Sequence, residues 1–179
     1  RPDIRRAVAS GDAIIGTMDA YLVFRLTGGA VFASDHTNAS RTLLYDIGNL
    51  RWSERLCEMF GVPVRSLPEV RESSAEYGET TVDGLLEGSI PVCGVTGDQQ
   101  AALFAQRCFS PGAAKVTLGT GSFILVNAGH QFQLAAEGIL TTIGWVHHGE
   151  TTYAFEGSIN CAGAAISWLQ DQLGLIDDP

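Results

Sequence analysis

Apolar and polar positions fall into short blocks along the chain, and each block predicts an element. Pro91-Val92-Cys93-Gly94-Val95-Thr96-Gly97 is largely apolar and stops at a glycine, which predicts a buried strand. Ala101, Ala102, Leu103 and Phe104 then predict a helix running to about Cys108. Asp98 stands where the strand ends and the helix begins. In open α/β sheets that junction lies beside the ligand crevice. Asp is also a favoured helix cap, so the junction alone leaves both roles open.

Upstream, residues 3 to 10 read as a short helix closed by Gly11. Thr17 is placed to cap a second helix, with Asp19 in its first turn. Met18, Tyr21, Leu22 and Leu26 form its expected apolar set, and Gly28-Gly29 ends it. Ala30 to Ala33 and Thr42 to Tyr45 read as extended segments around a polar loop, Ser34 to Arg41. That loop either turns the chain or presents donors and acceptors to a polar ligand. Ser53 is placed to cap a helix through Phe60, with Leu56, Met59 and Phe60 inward and Gly61 closing it. Val62-Pro63 and Leu67-Pro68 punctuate the connection that follows, and residues 76 to 90 mix a strand with a surface loop.

Beyond Ser110-Pro111-Gly112, which reads as a break between two units, the pattern turns to β. Ala114 to Leu118 and Phe123 to Asn127 are two strands joined by Gly119-Thr120-Gly121-Ser122. Gly138 to Ile143 and Thr151 to Glu156 are two more, joined through His147-His148-Gly149. A helix begins near Cys161 and carries Ile166, Leu169 and Leu173 at 3/4 spacing, an expected core stripe.

Composition narrows the function classes. The chain has 179 residues, 45% hydrophobic and 17% charged, enough for one core or for one domain plus part of another. Its formal net charge is −9 and no dense Lys/Arg cluster interrupts it. The electrostatic footprint of a nucleic-acid or anionic-membrane binder is therefore missing. No apolar stretch reaches membrane-spanning length. Cys57, Cys93, Cys108 and Cys161 lack metal-ligand spacing and sit among apolar neighbours, as structural thiols in a reducing compartment do. The expected location is the cytoplasm. His147-His148 reads as a solvated turn, and Asn38-Ala39-Ser40 as a coincidental sequon. The start at Arg1 and the stop just after a helical pattern read as a piece of a longer protein.

Two glycine elements carry chemistry. Gly119-Thr120-Gly121 suits a tight hairpin with glycines at positive φ. It also suits an anion nest, where backbone amides and a Thr hydroxyl meet phosphate oxygen. Ala162-Gly163-Ala164-Ala165 lets a helix start approach a sheet or a flat ring closely.

The chain thus presents, in order, a polar loop, a strand-end Asp, a break, a Gly-Thr-Gly turn and a small-residue helix start. The residues that stand out are Gly16-Thr17-Met18-Asp19, Thr37-Asn38-Ala39-Ser40-Arg41-Thr42 and Leu67-Pro68-Glu69-Val70-Arg71. With them come Gly97-Asp98-Gln99-Gln100-Ala101-Ala102-Leu103-Phe104, Gly119-Thr120-Gly121-Ser122-Phe123 and Ala162-Gly163-Ala164. On these the sequence resembles the FGGY family of carbohydrate kinases over nearly all its length, most strongly the members that act on glycerol.

The resemblance implies an α/β chain of ribonuclease H-like (actin-like ATPase) fold, with two domains and a cleft between them. Residues 1–108 would be the C-terminal part of the family's N-terminal domain, and 112–179 the beginning of its C-terminal domain. Asp98 matches the general base, held at the cleft mouth across from the glycine turn. Gln99 matches a residue that hydrogen-bonds substrate hydroxyls, and Phe123 one that packs on the substrate's carbon face. Gly119, Thr120 and Gly121 match the turn that holds nucleotide phosphates, and Gly163 a glycine touching the nucleotide. Two positions depart from the glycerol-acting members. His36 replaces a Tyr in the polar loop, which changes reach and donor pattern in the substrate wall. Ser167 replaces a Gln that contacts the nucleotide.

The implied reaction transfers the γ-phosphoryl group of ATP, with Mg2+, to a primary hydroxyl of a small polyol, glycerol first. Such transfer rests on positioning and charge stabilisation, with a carboxylate to orient and deprotonate the nucleophile. The family's first phosphate loop, its Mg2+-associated Asp and its adenine-binding segment would lie before Arg1 and after Pro179. The isolated 179 residues are therefore expected to be inactive. The expected partners are ATP and a small polyol or sugar, with a homo-oligomer left open. The alternatives are a kinase for another polyol or a ketose such as xylulose, and a non-catalytic actin-like nucleotide- or sugar-binding module.

Overall fold

The computed structural model describes residues 1–177. By packing, the chain divides into two compact units. One is Arg1–Gly97 with Trp145–Thr151, and the other is Asp98–Gly144 with the chain from Thr152 onward. Among the described residues no helix is long and apolar enough to cross a membrane.

In the first unit, α1 (Pro2–Ser10) begins at its proline and ends at Gly11 with φ 90°. Helix α2 (Met18–Leu26) buries Ala20 and Val23, whereas Met18, Tyr21, Leu22 and Leu26 are exposed. This corrects the expected apolar set. The inward face is the one with small side chains because the chain comes close there. A Cβ at Gly16 would lie 2.9 Å from the Phe32 ring and 3.3 Å from the Ala20 Cβ. Thr17 does not cap through its side chain, whose hydroxyl goes to Ser34 Oγ instead.

The expected polar loop is more ordered than its composition suggests. Strand β1 (Ala33–Asp35) runs into a one-turn helix α3 (His36–Ala39), capped when the Asp35 carboxylate accepts the Asn38 amide. The next elements are β2 (Tyr45–Asp46), β3 (Arg51–Trp52) and α4 (Glu54–Phe60). Ser53 and Gly61 cap α4 as expected, but its buried residue is Cys57. Leu56 is half-buried, and Met59 and Phe60 are exposed, contrary to the expected inward trio. A three-residue 3₁₀ turn, Val64–Ser66, leads to β4 (Glu69–Arg71), which pairs parallel with β1. Strand β5 (Glu79–Thr80) pairs antiparallel with β6 (Ile90–Pro91).

The stretch from Val92 to Gly97 is not the buried strand its apolar run predicts. Its amides and carbonyls bond at intervals to residues 73–78, which cover one side of the segment and leave Cys93 exposed. Val92 and Val95 lie on the covered side, packed on a core of Val23, Ala33 and Tyr77.

The second unit opens with α5 (Asp98–Ala105), shorter than expected because Arg107 takes a left-handed φ of 60°. Four strands follow: β7 (Ala114–Leu118), β8 (Ser122–Gly129), β9 (Leu140–His147) and β10 (Glu150–Ile159), the end of β9 from Trp145 and the start of β10 to Thr151 being counted with the first unit. They form one sheet in the order β7-β8-β10-β9. His148 and Gly149 turn β9 into β10 with φ of 51° and 76°, the pair of positive values a two-residue hairpin needs. Helix α6 (Gly163–Asp171) closes the unit and buries no residue. Ile166 and Leu173 are exposed and Leu169 is half-buried, so the expected core stripe is uncovered among the described residues. The cysteines divide likewise: Cys57 and Cys108 are buried, Cys93 and Cys161 exposed, and all four are free.

Candidate active site

The second unit carries its chemistry on one face of the sheet. Cross-strand register sets Lys115 opposite Leu125 and Thr117 opposite Phe123, while Glu156 and Ser158 of β10 oppose the same two β8 residues. Directly opposed residues share a face, so these six side chains stand together. Helix α5 packs against β7 and β8. The usual burial of a two-sided strand is inverted here. Lys115 is 1% exposed, whereas Val116 is 50% and Leu118 81% exposed.

A buried lysine needs partners. The Lys115 ammonium donates to Gln99 Oε1 and, at 2.7 Å, to Thr117 Oγ1. Burial pushes Lys115 below the usual lysine range, while the charges of Asp98, Glu156 and Cys108 pull it back up. Gln99 and Phe123, both expected in the substrate wall, are therefore tied through Lys115 and Thr117. Asp98 heads α5 and is exposed, and its Oδ1 accepts the Gln99 backbone amide at 2.8 Å. It stands at the helix start as a reachable acid. Its carboxylate turns onto the adjacent amide, not onto the second or third amide that a capping residue serves.

Strand β7 runs into Gly119-Thr120-Gly121, which does make a hairpin, yet neither glycine has a positive φ. This corrects the expected reason for glycine there. The requirement at Gly121 is space, since a Cβ would lie 2.7 Å from the Ile159 carbonyl. The turn is also gripped by the start of α6. Gly163 donates to the Gly119 carbonyl at 2.9 Å, and Ala162 and Ala164 donate to the Thr120 carbonyl at 2.9 and 3.1 Å. A Cβ at Gly163 would stand 2.6 Å from the Gly119 oxygen. Close packing alone thus demands glycine at 163. Ser167 lies exposed further along α6.

The remaining predicted residue, His36, belongs to the first unit and is 9% exposed. Its Nδ1 lies 2.8 Å from the Tyr45 hydroxyl. Burial pushes the imidazole below the ordinary histidine range, against the charges of Asp35 and Glu72. Beside it Asp35 is fully buried and its carboxylate accepts from Thr37 Oγ1, from the Asn38 amide and Nδ2, and from Ser73 Oγ at 2.6 Å. Thr37 Oγ1 in turn accepts the Gly97 amide at 2.8 Å. His147 and His148 are exposed, with ring centroids 3.9 Å apart, as a solvated turn should be. Among the described residues no group of three or more His, Cys, Asp or Glu is placed to hold a metal ion.

The sequence reading missed Lys115, Thr117 and Tyr45. Lys115 and Thr117 did leave a signal, the polar positions of an alternating strand, but alternation does not say which face is inward.

Comparison with known proteins decides the lineage. Residues 1–105 match the FGGY family of carbohydrate kinases, N-terminal domain, and residues 114–179 match the C-terminal domain of the same family. This chain belongs to the FGGY family of carbohydrate kinases. It is 49% identical over 176 residues to a glycerol kinase of Desulforamulus reducens, covering 98% of this chain and 35% of that protein. Its structure matches Plasmodium falciparum glycerol kinase with ADP at a TM-score of 0.91 and 40% identity, covering 100% of this chain and 36% of that one. It matches a xylulose kinase from Brucella ovis at 0.73 and 27% identity, covering 87% and 32%. The fold is therefore α/β, of the ribonuclease H-like (actin-like) type. The chain spans 35% of the length of its D. reducens relative.

Proposed function

We propose that the protein containing this chain is an ATP-dependent cytoplasmic kinase that phosphorylates a primary hydroxyl of a small polyol, glycerol first among the candidates. Residues 1–108 would supply the later part of its N-terminal domain and residues 112–179 the opening of its C-terminal domain. The observation that carries this reading is the link between α5 and β7. The helix that presents Asp98 is held, through Gln99 and buried Lys115, to the strand that delivers Gly119-Thr120-Gly121.

In this reading Asp98 accepts the proton of the attacking hydroxyl at its carboxylate, the task a positioned base performs in phosphoryl transfer. Gln99 hydrogen-bonds substrate hydroxyls, and Phe123, half-buried beside Thr117, packs on the carbon face. His36 contributes to the polyol wall. The Thr120 hydroxyl and the narrow glycine turn fit phosphate oxygens, with Gly119, Gly121, Gly163 and Ser167 on the nucleotide side. Bound MgATP supplies the phosphoryl group. No set of metal ligands comes from the described residues, so Mg2+ would be held through the nucleotide and by residues elsewhere in the protein.

The test is a phosphorylation screen of the full-length protein against glycerol, other polyols and ketoses. Selective transfer to glycerol or a close polyol is expected. Preference for a ketose would reassign the substrate, and no transfer to any acceptor would overturn the kinase reading.

A further inference from the structure

Three features draw the eye outside the roles already given: the Asp35 network, the uncovered face of α6, and buried Lys115. The Asp35 carboxylate is already taken up by donors of the chain itself, Thr37, Asn38 and Ser73. Nothing in the structure says what covers α6. Lys115 is different, because it reaches the substrate wall through one side chain.

A glutamine amide has two unlike ends, an oxygen that accepts and an NH2 that donates. At ordinary detail the two ends are interchangeable in shape, so their orientation must be set by partners. A lysine ammonium has three donors and no acceptor. Lys115 can therefore hold Gln99 in only one sense, by its Oε1, and it does so from a site 1% exposed. Its own position is fixed by Thr117 Oγ1 and by the β7–β8 ladder that sets Thr117 beside Phe123. Burial works against its charged form, and the charges of Asp98 and Glu156 work in its favour.

We infer that Lys115 is a positioning residue that turns the Gln99 amide so that its NH2 end meets the substrate. This rests on the polyol-kinase reading given above. An NH2 donor engages a lone pair of the hydroxyl oxygen and leaves that hydroxyl's hydrogen for the Asp98 carboxylate. The opposite orientation would offer a carbonyl, which competes with Asp98 for the same hydrogen. Lys115 thereby separates the two tasks: Gln99 reads the oxygen and Asp98 takes the proton. The cost of burying an ammonium is in keeping with this, since a structural strand position would be filled more simply by an apolar residue of similar volume.

The experiment uses the full-length protein, with glycerol and xylulose as probes, and reads KM for acceptor and for ATP alongside the thermal midpoint. Lys115→Met is expected to raise acceptor KM about tenfold, the loss of one oriented hydrogen bond, with ATP KM changed less than about twofold. Gln99→Ala is expected to do the same, and the double variant to be no worse than either single one. Gln99→Glu keeps an oxygen for Lys115 and removes the NH2, so it should fold and still lose acceptor affinity by a similar factor. It stands in if Lys115→Met fails to fold. Independent, additive losses from Lys115→Met and Gln99→Ala, equal rises in both KM values, or wild-type affinity in Gln99→Glu would overturn the inference alone. A wild-type protein that phosphorylates neither probe nor any other polyol or ketose would overturn the site reading, and the inference with it.

Discussion

Gly163 donates its amide to the Gly119 carbonyl at 2.9 Å, and the same oxygen would lie 2.6 Å from any Cβ added at 163. Helix start and glycine turn are thus one piece of backbone packing. The obstructing atom is a carbonyl, so it cannot move aside as a flexible side chain could. Gly163→Ala should force the turn away from α6 and cost about 1–3 kcal/mol, the usual range for overpacking. If the turn holds phosphate, ATP KM should rise while acceptor KM stays near wild type. Thermal unfolding and steady-state kinetics of the full-length variant check both, and an unperturbed midpoint with unchanged ATP KM would count against the coupling.

Asp35 offers a second test, on stability alone. Its buried carboxylate accepts from Thr37, Asn38 and Ser73, and caps α3. Asp35→Ala would leave the buried Thr37 hydroxyl and the half-buried Asn38 and Ser73 donors without this acceptor, and a buried donor left unmet costs about 1–3 kcal/mol. A marked fall in the denaturant midpoint is expected, larger than for Ser73→Ala, which leaves the other bonds in place. Equal, small shifts for both would show that water replaces the carboxylate without penalty.

His36 makes stability pH-dependent in a defined direction. Burial lowers its pKa below the ordinary value of 6.5. The unfolded chain therefore binds a proton in a range where the folded chain does not. Its contribution is fully present above pH 6.5 and is lost as pH falls through the folded value. The slope from one such group cannot exceed about 1.4 kcal/mol per pH unit. His36→Phe should flatten the fall in thermal midpoint between neutral and mildly acidic pH. An identical acid slope in wild type and variant would rule the histidine out as its source.

These residues also show how far the sequence could be read. The order of elements around Asp98 and the Gly-Thr-Gly turn was legible because strand, glycine and helix each leave a local mark. The faces were not. In α2 and α4 Met18, Tyr21, Leu22, Leu26, Met59 and Phe60 are outside, and Ala20, Val23 and Cys57 are the buried residues. Periodicity finds a helix, but close approach selects the small side. In β7 the alternation Ala114-Lys115-Val116-Thr117-Leu118 announced a strand, yet the polar positions turned inward under α5. That inversion depends on Gln99, sixteen positions away, and no local pattern encodes it. The residue at 36 was conspicuous as a departure from the family, while its partner Tyr45 was silent, since their contact arises only when α3 and β2 come together.

The His36–Tyr45 pair leads to a prediction about acceptor choice. His36→Tyr in the full-length protein should shift relative kcat/KM between glycerol and xylulose, because a phenol and an imidazole offer different reach and donors. Tyr45→Phe, which frees Nδ1 of His36, should shift it as well, by a smaller factor. Parallel assays on the two acceptors check this, and constant ratios in both variants would remove His36 from the polyol wall.

The central claim is that Asp98, exposed at the start of α5, takes the proton of the attacking hydroxyl. The most direct measurement is single-turnover phosphoryl transfer by the full-length Asp98→Asn variant, with acceptor and ATP binding measured in parallel. The account predicts transfer slower by about 10²–10⁴-fold, the range typical of a lost general base, with both affinities within a few-fold of wild type. Transfer at close to the wild-type rate would contradict it and leave Asp98 as nothing more than the first residue of a helix.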